Sequence, residues 1–81
     1  MERKIEMYSE ITGGVKRTHV DLVGAGIVRD RETSEGYTHA GVDEYARRNA
    51  NEMAEAYGIP QSDIIDHGVL TYAEFTKMAR R

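Results

Sequence analysis

Hydrophobic and polar positions alternate over residues 3–11, RKIEMYSEI, with Ile5, Met7 and Ile11 on one side and Lys4, Glu6, Tyr8 and Glu10 on the other. A period of two is that of a half-buried strand. Thr12-Gly13-Gly14 follows, and a glycine pair suits a two-residue primed turn because both central positions need positive φ. The chain is therefore expected to return as a second strand over Val15–Val23. With Gly13 and Gly14 at the turn, Met7 faces Val20, Ile5 faces Leu22 and Ser9 faces Thr18 on one face. Tyr8 faces His19 and Glu10 faces Arg17 on the other. Glu6 falls opposite Asp21, a like-charge pair that calls for a nearby cation or a basic partner.

Beyond Val23, Gly24 and Gly26 mark a bulge or bend, Ile27 and Val28 a short extended piece, and Arg31–Gly36 a polar turn. A third strand is expected here. From Gly41 to Tyr57 the period changes to 3.6: Val42, Ala46, Ala50, Met53 and Tyr57 share an arc, opposite Glu44, Arg47, Arg48, Asn51, Glu52 and Glu55. Thr38 is placed to cap an earlier start, and Gly58 supplies a left-handed stop followed by Ile59 and Pro60. Asp43/Arg47 and Glu44/Arg48 stand at ion-pair spacing along this helix. Asn49, inside the apolar arc, is expected to be a hydrogen-bonded edge residue.

Residues from about Ile64 to Val69 read as a short strand. Thr71 and Glu74 then form a capping box, with Leu70 placed to staple onto Phe75 and with Tyr72, Phe75, Met78 and Ala79 on one helical face. The expected fold is a single α+β domain over 1–81. It consists of a small antiparallel sheet, built from the N-terminal β-hairpin plus one or two further strands, packed on one long helix, with a short C-terminal helix.

Length and charge narrow the function. Eighty-one residues support one modest core. There is no cysteine, hence no disulfide framework or thiolate metal site. The charged N-terminus MERKIEMYSE is unlike a signal peptide and no run reaches the length of a membrane span, so a cytoplasmic location is expected. The net charge of −3, with both signs interspersed, gives no overall pull toward nucleic acid.

Two stretches resemble known families. VDLVGAGIV resembles the opening of a dinucleotide-binding Rossmann unit, which would imply a pyrophosphate on a helix N-terminus. The third glycine of that pattern is Arg29 here and RDRETSEG has no apolar helical period, so no cofactor is expected. MAEAYGIPQSDIIDH is similar to the helix-turn-helix of small repressors. That likeness implies a second helix presenting Gln61, Ser62, Asp63 and Asp66 to the major groove, and a small DNA-binding regulator using residues 50–67 as the alternative function. A helix from Gln61 to His67 would support it, and a strand from Ile64 to Val69 would remove it. His19, His39 and His67 are not at ligand spacing, so no metal is expected, and Asp66-His67 reads as structural. Without a nucleophile motif, paired carboxylates or a phosphate loop, the chain is not expected to be an enzyme.

The remaining feature is the outward face of the hairpin, Glu6, Tyr8, Glu10, Arg17, His19 and Asp21, expected to be open and to bind a partner. The chain is thus expected to be a small non-enzymatic protein-binding module. It would act like a phage-type, anti-CRISPR-like inhibitor that occupies a partner's basic or nucleic-acid-binding surface. That likeness rests on size, acidity and the lack of catalytic motifs. Oligomeric state stays open.

Overall fold

The alternating N-terminal pattern produces two strands, β1 (Lys4–Thr12) and β2 (Val15–Gly24), in a computed structural model of the chain. The structure describes the backbone of residues 3–24, 26–33 and 38–80, and side chains over 3–24 and 38–80. The β1/β2 register is the one the glycine turn dictates: Ile5↔Leu22, Glu6↔Asp21, Met7↔Val20, Tyr8↔His19, Ser9↔Thr18 and Glu10↔Arg17. Gly13 and Gly14 hold φ of 59° and 77°, a backbone region that costs other residues about 1–2 kcal/mol.

β3 (Gly26–Thr33) runs antiparallel to β2, with a register shift between Leu22 and Val23. Arg31, Glu32 and Thr33, expected to open a polar turn, are still in the strand; residues 34–36 of that expected turn lie outside the described residues. The strand–glycine–strand course also removes the Rossmann resemblance, because Gly24 and Gly26 pair across two antiparallel strands rather than leading into a helix.

α1 (His39–Tyr57) begins two residues before Gly41 because Thr38 caps it, accepting from the Gly41 amide at 3.0 Å. It ends at Gly58 (φ 66°, ψ 34°), where the Ile59 amide donates back to Ala54 O at 2.8 Å. Its buried residues are Val42, Ala46, Ala50, Met53 and Ala54. The alanines let the helix lie close on Ile5, Met7, Val20 and Leu22, with Ile59 and Ile64 closing the core. Tyr57, placed in the apolar arc by periodicity, is exposed instead.

After a 3₁₀ turn at Gln61–Asp63, β4 (Ile64–Val69) pairs parallel to β1, so the sheet β3-β2-β1-β4 is mixed, with two antiparallel pairings and one parallel. The helix-turn-helix reading is corrected here. Ile64–Val69 is a strand, so the second helix of that motif does not exist. α2 (Tyr72–Ala79) starts at the expected Thr71/Glu74 capping box and buries Phe75; Tyr72, expected on the same face, is exposed. α1 and α2 lie on opposite faces of the sheet. Among the described residues no helix is long and apolar enough to cross a membrane.

Candidate functional site

The face carrying Glu6, Tyr8, Glu10, Arg17, His19 and Asp21 is an internal layer, which corrects the expectation that it is open. α2 lies on it. Tyr8 and Asp21 are fully buried, Glu6, Glu10 and His19 nearly so, and only Arg17 is partly exposed. The layer is held by its own contacts. Tyr8 Oη donates to Asp21 Oδ2 at 2.5 Å, and its ring stacks on His19 at 5.4 Å. Phe75 of α2 stands edge-on to both rings, 5.4 Å from Tyr8 and 5.0 Å from His19, and the Arg17 guanidinium covers Phe75 at 5.2 Å.

The like-charge pair Glu6/Asp21 is answered from within the chain. His67 Nε2 on β4 lies 2.9 Å from Glu6 Oε1, Tyr8 donates to Asp21, and His19 Nδ1 is 3.8 Å from Asp21 Oδ1. A basic partner is not needed to explain it. At Glu10, burial pushes the carboxyl up, but hydrogen bonds from Thr12 and from Arg17 Nε, the latter at 2.5 Å, together with the guanidinium charge, bring it below its ordinary value. In the β3 register Asp30 pairs with Asp21 and Glu32 with His19.

A different site is accessible on the opposite face. There α1 packs on Ile5, Met7, Val20 and Leu22, and a cleft of about 410 Å³ is left between α1 and β4 beside the hairpin. Its floor is Met7, Ser9 and Thr18, with Lys16 at the hairpin side. α1 supplies Asp43, Glu44 and Arg47, and β4 supplies Asp66, Gly68 and Val69. The polar floor is buried: Ser9, Thr18 and Lys16 are 6%, 2% and 9% exposed, and the two hydroxyls lie 2.7 Å apart.

The helical ion pairs expected within α1 are diverted to this cleft. Asp43 meets Lys16 at 2.5 Å and Arg47 meets Asp66 at 3.5 Å, while the guanidinium of Arg48 lies over Tyr45. Gly68, at φ 73°, lets β4 shift register against β1 and turns its amide to Asp66 Oδ1 at 2.9 Å. That shift brings Val69 onto the cleft side, opposite Ser9. Val69 and Ile11, two positions beyond Ser9 on the same face, are 55% and 44% exposed.

The sequence carried a signal for this cleft. Positions 9, 16 and 18 are in the core-facing phase of their strands yet hold Ser, Lys and Thr, where local consistency would ask for apolar residues. The histidines are occupied structurally: His39 Nε2 donates to Gly14 O at 2.9 Å, tying the start of α1 to the hairpin turn, and His67 sits on Glu6. Among the described residues no three metal-ligating side chains converge. No family model matches the chain, and neither a curated protein nor a solved structure matches it.

Proposed function

We propose that this chain is a non-enzymatic protein-binding module of the inhibitor kind, and that it docks its partner at the cleft between α1 and β4. The observation that carries this reading is the composition of the cleft: Asp43, Glu44 and Asp66 against Lys16 and Arg47, beside the exposed apolar Val69 and Ile11. Carboxylates around a small apolar contact fit a basic protein surface, steering its approach and then excluding water at Val69. A basic surface of this kind is what a nucleic-acid-binding partner presents. A chain occupying it would act by competition, with no chemistry of its own.

The experiment is affinity capture from the native host by the intact chain, in parallel with a Val69→Asp chain of unchanged fold. The reading expects a partner with a basic surface whose recovery falls at least about tenfold with the variant. Equal recovery by both chains would place the interface elsewhere.

A further inference from the structure

We draw no further inference here: the strongest candidate, the outer edge of β4 with its exposed Ile65 and Val69, is paired on one side only, by β1, and nothing in the structure shows what covers the other.

Discussion

At Glu10 the chain keeps a buried carboxyl whose burial pushes its pKa up. Thr12 and Arg17 reverse that, and the folded state holds the carboxyl below its ordinary value of 4.5. A group depressed in the folded state contributes stability above its unfolded value, and that contribution is lost as pH falls through the folded value. Acid unfolding is therefore expected to begin below about 4.5, and Arg17→Met moves its midpoint to higher pH while costing about 2–3 kcal/mol at pH 7. Urea unfolding at pH 7 and an acid titration followed by circular dichroism read both effects. The buried phenol is a second test. Tyr8→Phe keeps the ring stack on His19 but deprives Asp21 of its 2.5 Å donor, for an expected loss of about 1.5–3 kcal/mol in the same urea measurement.

At the scale of elements, local chemistry decided most boundaries. Gly13-Gly14 set the hairpin register, Thr38 and Gly58 bounded α1, and the Thr71/Glu74 box started α2, because each depends on one or two residues acting on their neighbours. Gly58→Ala is expected to cost about 1–2 kcal/mol, since open space surrounds the position and only its φ of 66° opposes a side chain. Thermal unfolding followed at the α1 signal checks it. What local signals could not reveal was which elements meet. Arg47 and Asp43 sit at ideal spacing for pairs along α1, yet Asp66 and Lys16 take them, because β4 and β2 bring those charges within reach only in the folded chain. Tyr57 and Tyr72 lie on the apolar arcs of their helices yet are exposed, because periodicity does not say where the packing partner lies.

Across the whole molecule, the candidate site was legible in part. The sequence pattern placed Glu6, Tyr8, Glu10, Arg17, His19 and Asp21 together on one face, and the register shows them there. It did not reveal that α2 lies over that face, because α2's docking rests on Phe75 meeting Tyr8 and His19 across more than fifty residues of chain. The cleft was hidden for the opposite reason. Its floor of Ser9, Thr18 and Lys16 resembles a flaw in an apolar strand phase until the cleft between α1 and β4 is seen above it. On the α1 face the hairpin end is open between α1 and β4, and that end gathers Asp43, Glu44 and Asp66 with Lys16 and Arg47 beside exposed Val69 and Ile11.

The proposed docking of a basic partner surface at this end rests on charge around a small apolar contact. It is tested most directly by titrating the captured partner, by calorimetry at two salt concentrations, against the wild-type chain and a Glu44→Lys/Asp66→Lys double variant. Glu44 and Asp66 face the cleft from α1 and β4. Exposed charges of this kind act through steering and complementarity, so affinity is expected to fall at least about tenfold in the variant and the salt dependence to shrink with it. Affinity and salt dependence unchanged by the reversal of both charges would contradict the claim.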